Sequence, residues 1–300
     1  MTPLNSFVNA FPNRPLRMKR TFLMLTSCLA ILSTNAPSFA QQLSDDVSKA
    51  TKDTPFMNSL GMKFVPVPGT KALFCIHETR RSDYRAFVNE TMGLDVTWRS
   101  QTLGGVKFAF TDEHPVMNVS WNDSSRFCDW LNRKEKTEQA GFAYRLPTDA
   151  EWSAAIGIAE LEDPSATTES KHGKLTGIFP WGKTWPPTKN AGNFADMNGK
   201  SKFSKMQVIP GFDDGNAATA AVMSYSANSI GIFDLSGNVW EWCEDWTDST
   251  QKFKILRGGS WAMATPDKLH SCARLGGSPD GLTVHGQFGF RVVLAPKAGE

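Results

Sequence analysis

The runs Gly237-Asn238-Val239-Trp240-Glu241-Trp242 and Leu256-Arg257-Gly258-Gly259-Ser260-Trp261 decide the fold of this chain. In each run, glycines that reach backbone conformations closed to other residues stand beside Trp residues large enough to anchor a core. From about residue 163 onward the chain is rich in Gly, Asn, Asp, Ser and Pro, with strand-like pieces at 254–257 and 288–294. A compact domain with so much irregular backbone normally needs tethers such as metals, aromatic packing or disulfides.

The segment before residue 163 is more regular. Strand-like apolar runs at 62–67 and 72–76 precede three stretches with helix-capping chemistry. Ser82 is expected to cap a helix that ends near Gly93, Ser120 with Asp123 a second, and Thr148 with Glu151 a third that closes at Gly157.

The charge distribution excludes one class of function. The formal charge is +2, from 32 basic and 30 acidic residues. Four of the basic residues and no acid lie in residues 1–40, so the remainder carries 28 against 30, or −2. This near-neutral remainder has no electrostatic footprint for nucleic acid.

The amino terminus predicts export. Met18-Lys19-Arg20 precedes an uncharged apolar stretch that is too short to span a bilayer, and Ser38-Phe39-Ala40 is a small-x-small cleavage site. We predict a signal peptide over 1–40, a polar linker over 41–55, and an exported bacterial protein, periplasmic or extracellular, with no transmembrane anchor after cleavage. Residues 1–17 are either an extended basic region of the signal peptide or the result of a start codon assigned too early. A competing interpretation is a lipoprotein signal that is cleaved before Cys28.

Cleavage would leave four cysteines: Cys75, Cys128, Cys243 and Cys272. Export places them where disulfides persist, and four cysteines allow three full pairings. No Cys-x-x-Cys pair occurs, so a zinc ribbon or thioredoxin-type site is not expected. Buried thiols and a structural bridge both remain open.

Eight segments, in order, resemble the formylglycine-generating enzymes, also called sulfatase-modifying factors. They are Gly61–Val65, Glu78-Thr79, His114–Val116 with Val119–Trp121, Tyr144–Thr148 with Glu151-Trp152, Phe179–Gly182, Gly237–Trp242, Leu256–Trp261 and Gly289–Arg291. The resemblance covers residues 56–296. It implies a single α+β domain of low regular-structure content, related in fold to C-type lectins.

The family binds two calcium ions, and the resemblance assigns residues to each. The first set is Asn193, the Phe194 carbonyl, Asp214 and the Asn216 carbonyl; the second is Asp234, the Gly237 and Val239 carbonyls, and Glu241. Both sets offer the carboxylate, amide and carbonyl oxygens that calcium prefers. The alternative for the second set is a solvated acidic turn in which Glu241 forms a salt bridge to an arginine.

The family's catalytic metal is copper(I), held by two cysteines shortly after the Gly-Gly-Ser motif. Here Met263 and Lys268 stand at those two positions. An ammonium group repels a cuprous ion, and a lone thioether is a weak substitute for two thiolates. Copper is therefore not expected. The partners of the family's structural cysteines are also replaced, by Ile156 opposite Cys272 and by Val292 opposite Cys128.

Trp240 and Ser260 match residues that line the family's oxygen pocket, which suggests a surviving cleft. The sequence favours a non-catalytic pseudoenzyme that binds a peptide or other ligand in a cleft containing Trp181, Trp185, Trp240 and Trp261. A second hypothesis is an oxidoreductase that acts on a protein cysteine through an unusual metal site of Met263, His270 and a cysteine. A third is a lectin-like sugar binder.

Overall fold

A computed structural model of the chain describes residues 38–280 and 285–297. These residues lie in one compact unit, Pro37–Glu300. The predicted signal peptide falls outside the described residues except for Ser38–Ala40. No helix in the described part of the chain is both long and apolar enough to cross a membrane.

The described strands are short. They are β1 (Phe56–Met57), β2 (Lys63–Pro66), β3 (Leu73–Cys75), β4 (Thr102–Leu103), β5 (Val106–Lys107), β6 (Phe142–Arg145), β7 (Trp240–Trp246), β8 (Lys254–Arg257), β9 (Leu275–Gly277), β10 (Phe288–Phe290) and β11 (Val293–Pro296). Among the described residues, helices account for 25% and strands for 17%, below the usual share for globular domains. The predicted α+β class with low regular-structure content is confirmed.

The strands build two main sheets and one hairpin. The larger sheet has the order β1-β2-β3-β11-β6, with every neighbouring pair antiparallel. The second sheet has the order β10-β7-β8-β9, in which only the β10–β7 pair is parallel. Strands β4 and β5 pair separately.

The α-helices confirm two of the three predicted caps. The described α-helices are α1 (Phe39–Ser48), α2 (Arg81–Asn89), α3 (Trp121–Glu135), α4 (Asp149–Ala155), α5 (Thr168–Lys171), α6 (Met197–Lys202) and α7 (Pro266–Leu269). Ser120 and Thr148 cap α3 and α4 through capping boxes, as predicted. The cap of α2 is Arg80 rather than Ser82, because the Asp83 carboxylate accepts both the Arg80 amide and its guanidinium.

Two segments differ from their predictions. The strand expected over 288–294 is split into β10 and β11, which belong to different sheets, because Arg291 between them turns inward to a buried acid. The expected linker over 41–55 instead begins with α1. Ser38 caps this helix, Leu43 is buried, and the Lys52 ammonium donates to the Ser229 carbonyl at 2.8 Å.

The core joins the two main sheets. One cluster packs aromatic side chains of α2 and α3, including Tyr84, Phe87 and Phe127, against Phe290 of β10. A second cluster includes residues from both main sheets together with Trp152 of α4. Together, the two clusters hold the Gly237–Glu241 turn that leads into β7.

Candidate functional site

The turn before β7 is held by a buried acid that is distant from it in sequence. Glu78, fully buried, accepts the Asn238 side-chain amide at 2.6 Å and the Val239 backbone amide at 3.1 Å. The same turn forms a parallel bridge from Gly237 to Asn193. Asn238 completes the network by accepting the Ala220 amide at 3.0 Å. Residues that are distant in sequence therefore converge on one buried turn.

Negative charge exceeds positive charge beneath this turn. Glu78, Asp234 and Glu241 are all buried, and Arg291 is the guanidinium that faces them. Burial, with the charges of Asp234 and Glu241, holds the pKa of Glu78 well above its usual range. Burial also raises the pKa of Asp234 to about 6. Such a cluster stabilises a bound cation or retains a proton.

The two carboxylates of the second calcium set differ in how many of their oxygens are already hydrogen-bonded. Both Glu241 oxygens accept from the Arg291 guanidinium, at 2.6 to 3.2 Å, and one also accepts the Trp152 indole N–H at 3.2 Å. A carboxylate has about four acceptor positions, so Glu241 is fully engaged within the protein. Asp234 keeps an open oxygen: Oδ2 accepts the Met223 amide at 2.7 Å, whereas Oδ1 is buried without a partner among the described residues. The geometry at Glu241 is the salt bridge to an arginine, and this set does not fit calcium.

The first calcium set keeps open oxygens. Asn193 is buried, and its amide N–H group donates to the Ala218 carbonyl at 2.8 Å, while its Oδ1 has no partner within residues 38–280 and 285–297. Asp214 accepts one amide on each oxygen, from Phe194 at 2.7 Å and from Asn216 at 2.9 Å, which leaves acceptor positions free. Burial raises the pKa of Asp214 to about 7. An orphaned amide oxygen beside an uncompensated carboxylate fits a calcium ion.

The two positions of the family's copper ligands lie in different surroundings. Met263 packs against two apolar clusters, and its carbonyl accepts the Ala195 amide at 3.1 Å. Lys268 lies in α7 with a side chain that is 45% exposed, 3.7 Å from Asp267. Met263 therefore has a packing role, and Lys268 carries a charge that is exposed to solvent. Within residues 38–280 and 285–297, no three His, Cys, Asp or Glu side chains converge as a metal site.

Cys75, Cys128, Cys243 and Cys272 are all buried free thiols in the described structure. Burial raises the pKa of Cys75 to about 12 and holds those of Cys128 and Cys243 well above the usual thiol range. Cys272 is near Leu175, accepting its amide at 3.3 Å. The alternative of buried thiols, left open by the sequence, is the one that the structure shows.

The four tryptophans expected in one aromatic cleft do not lie together: two belong to the core, and two are half-buried. Trp240 and Trp261 are 1% and 6% exposed and belong to apolar clusters, so neither forms an open wall. Ser260 is buried and hydrogen-bonds to the Gln287 side chain at 2.7 Å. Trp181 and Trp185 are half-buried and stack on Phe179, with ring centroids at 4.9 and 5.5 Å.

The oxidoreductase hypothesis needs a free ligand atom at His270. The Nε2 atom of His270 accepts the Gly177 amide at 3.0 Å, so its lone pair is occupied. Its ring packs on Phe179 with the centroids 4.9 Å apart. The surroundings of His270 are those of a structural residue.

A cavity beside the turn contains residues that the sequence did not indicate. It has a volume of about 250 Å³, and its walls include Trp181, Tyr225, Asp234 and Ser236. The Ser236 hydroxyl, like Asp234 Oδ1, is buried and has no partner in the described structure. Tyr225 and Ser236 belong to none of the family segments, and Glu78 belongs to one but carries no obvious chemistry there. Besides its place in a family segment, the signal for Glu78 was a carboxylate two residues after the apolar run 72–76.

Fold and site together define a domain of the formylglycine-generating-enzyme type. Residues 51–296 match the family model described as the sulfatase-modifying factor enzyme 1-like domain, and the chain belongs to this family. The predicted resemblance is confirmed.

Relatives in this family include active and inactive proteins. The chain is 29% identical over 196 residues to a formylglycine-generating enzyme of Streptomyces coelicolor, covering 59% of this chain and 52% of the relative. It is 30% identical over 201 residues to the inactive Cα-formylglycine-generating enzyme 2 of Mus musculus, covering 65% of this chain and 53% of the relative. The chain thus spans little more than half the length of these two relatives.

Solved structures support the fold. PvdO from Pseudomonas aeruginosa matches with a TM-score of 0.52 at 20% identity, covering 75% of this chain and 80% of PvdO. The Treponema denticola variable protein 1 matches with a TM-score of 0.52 at 21% identity, covering 75% of this chain and 84% of that protein. Identities this low are informative about architecture alone.

Proposed function

We propose that this chain is a non-catalytic binding module of the sulfatase-modifying-factor family that binds a peptide or other ligand. The observation that carries the proposal is the pair of positions Met263 and Lys268. One side chain packs in apolar surroundings and the other carries an ammonium into solvent, so neither supplies a thiolate. The similarity to a relative named as inactive is consistent with this function.

The competing function is a formylglycine-generating-type oxidase with an unusual metal site. We expect the full chain, supplied with copper(I) and a cysteine-containing peptide, to consume no more oxygen than copper and peptide alone. The reason is that the family's chemistry requires a soft metal held by sulfur anions. Oxygen uptake that depends on the chain and is abolished by Met263→Ala would establish the oxidase instead.

Calcium is proposed at the first set only, held by Asn193, Asp214 and the carbonyls of Phe194 and Asn216. Bound calcium would supply the positive charge that the Asp214 surroundings lack and so tether the irregular loops. We expect calorimetric titration after EDTA treatment to give one ion per chain. Calcium at one hundred times its Kd should raise the free energy of unfolding by about 2.7 kcal/mol.

Variants distinguish the two sets. Asp214→Ala should abolish calcium uptake, whereas Glu241→Gln should leave the stoichiometry at one ion. Uptake of two ions per chain, with one lost in Glu241→Gln, would restore the second site and contradict the single-ion proposal.

Export to the periplasm or outside the cell is also proposed, on the amino-terminal pattern of residues 1–40. Cleavage after Ala40 would remove Ser38, the cap of α1, together with the first two residues of that helix. Mass spectrometry of the exported protein should find Gln41 at the amino terminus. A mature chain that begins with lipid-modified Cys28, or one that retains residues 1–40, would contradict this assignment.

A further inference from the structure

The cavity between Trp181 and Tyr225 has fixed walls. The Trp181 ring stacks on Phe179 with centroids 4.9 Å apart and packs against Phe194 at 5.1 Å, while its indole N–H donates to the Thr184 carbonyl at 2.9 Å. The Tyr225 hydroxyl accepts the Asn216 amide at 2.8 Å. At ~30 Å³ per water, about 250 Å³ accommodates roughly eight waters or one small organic group. The walls are therefore preorganised for a ligand of limited size.

The floor of the cavity carries one negative charge. Among the described residues that line the cavity, Asp234 is the one that carries a charge. It is 6% exposed, and Ser236 is 4% exposed. In the part of the chain that the structure describes, neither Asp234 Oδ1 nor the Ser236 hydroxyl has a hydrogen-bond partner. Two buried unpartnered oxygens at one cavity are costly unless a donor reaches them. The missing partner is a hydrogen-bond donor with positive charge.

The Asn228 side chain in the cavity wall is engaged elsewhere, which reduces the number of oxygens open to a metal ion. The Asn228 amide donates to the Ala155 carbonyl at 2.8 Å, and its oxygen accepts the amides of Ile230 and Ile232. Calcium requires about six to eight oxygens, many more than this floor offers. An alkylammonium requires one counter-charge, a few acceptors and an apolar or aromatic wall, and aromatic faces attract cations.

We propose that this cavity binds a primary alkylammonium group, as on a lysine side chain or a peptide amino terminus, with Asp234 as its counter-ion. The ammonium donates to Asp234 Oδ1 and the Ser236 hydroxyl, and its carbon chain lies between the Trp181 and Tyr225 rings. This inference rests on the proposed function as a binding module, because it names the chemistry of the ligand.

The test is calorimetric titration of the full chain with n-pentylammonium, and with pentan-1-ol as the uncharged probe of similar shape. We expect one pentylammonium site per chain, and binding of pentan-1-ol at least about tenfold weaker, since loss of the charge removes the pairing with Asp234. Asp234→Asn should weaken pentylammonium binding by about tenfold or more. The asparagine tolerates the positive φ of 55° at this position and can still accept the Met223 amide.

Two further variants keep the test decisive if Asp234→Asn fails to fold. Trp181→Leu should weaken binding about threefold or more, because the carbon chain of the ligand loses its contact with the indole ring. Asp213→Asn, an exposed acid outside the cavity lining, is the matched control and should bind as the unaltered chain does.

Three results would overturn the inference: equal affinity for alcohol and amine, no effect of either cavity variant, or calcium displacing pentylammonium through Asp234. None of these results bears on the proposed lack of catalysis. That proposal fails on chain-dependent oxygen uptake, which is measured without the amine, so the two failures are distinguishable.

Discussion

Gly237→Ala is expected to lower the free energy of unfolding by roughly 2 to 5 kcal/mol. The residue has φ of +80°, and an added Cβ would lie 2.2 Å from the Asn193 carbonyl oxygen and 2.7 Å from the Phe194 ring. A left-handed conformation costs a non-glycine residue about 1–2 kcal/mol, and overpacking against fixed atoms costs about 1–3 kcal/mol more. Urea denaturation followed by circular dichroism measures the loss.

The matched control is Gly61→Ala. Gly61 has a similar φ of +75°, but a Cβ there would meet nothing within 4 Å. The control should therefore lose only the conformational part, about 1–2 kcal/mol. Equal losses in the two variants would show that the structure accommodates the added Cβ at position 237 without a steric cost from Asn193 and Phe194.

Arg291→Met is expected to lower the free energy of unfolding by about 3–5 kcal/mol, because it leaves buried acids without a counter-charge. The Arg291 guanidinium is fully buried, donates to Glu241 at 2.6 Å, and also reaches the carbonyls of Cys75 at 3.0 Å and Phe233 at 2.8 Å. Burial lowers the pKa of this guanidinium, but the Glu241 carboxylate outweighs burial and holds the pKa above its usual value.

Removing both charges should recover part of the loss. The double variant Arg291→Met/Glu241→Gln no longer buries an unpaired carboxylate at position 241, so its unfolding midpoint in urea should lie above that of Arg291→Met alone. A double variant no more stable than Arg291→Met would show that the lost carbonyl contacts, rather than the unpaired Glu241 charge, cause the destabilisation.

The fold could be predicted where the signal was local. Ser120 with Asp123 and Thr148 with Glu151 mark helix starts within a few residues, and both caps are present. The run 254–257 is strand β8 as expected. The run 288–294 reads as one strand because its apolar residues are continuous, and only the distant Glu241 explains why Arg291 interrupts it.

The candidate site could be predicted only in part. Asp234, Glu241, Asn193 and Asp214 are indicated by the family motifs, yet no motif shows which carboxylate pairs with Arg291 and which stays open. The contact between Glu78 and Asn238 joins residues 160 positions apart. The Ser236 hydroxyl and the Tyr225 ring belong to the site through the path of loops, which carry no periodic pattern.

The central claim, that this domain lacks the thiolate pair of its catalytic relatives, is tested most directly by copper(I) uptake. The full chain with Cys28→Ser is titrated with copper(I) against a chromophoric chelator, native and in denaturant. Four buried thiols should leave the native chain with no stoichiometric copper, while the denatured chain, with those thiols exposed, should bind it. Tight one-to-one uptake by the native chain would contradict the account.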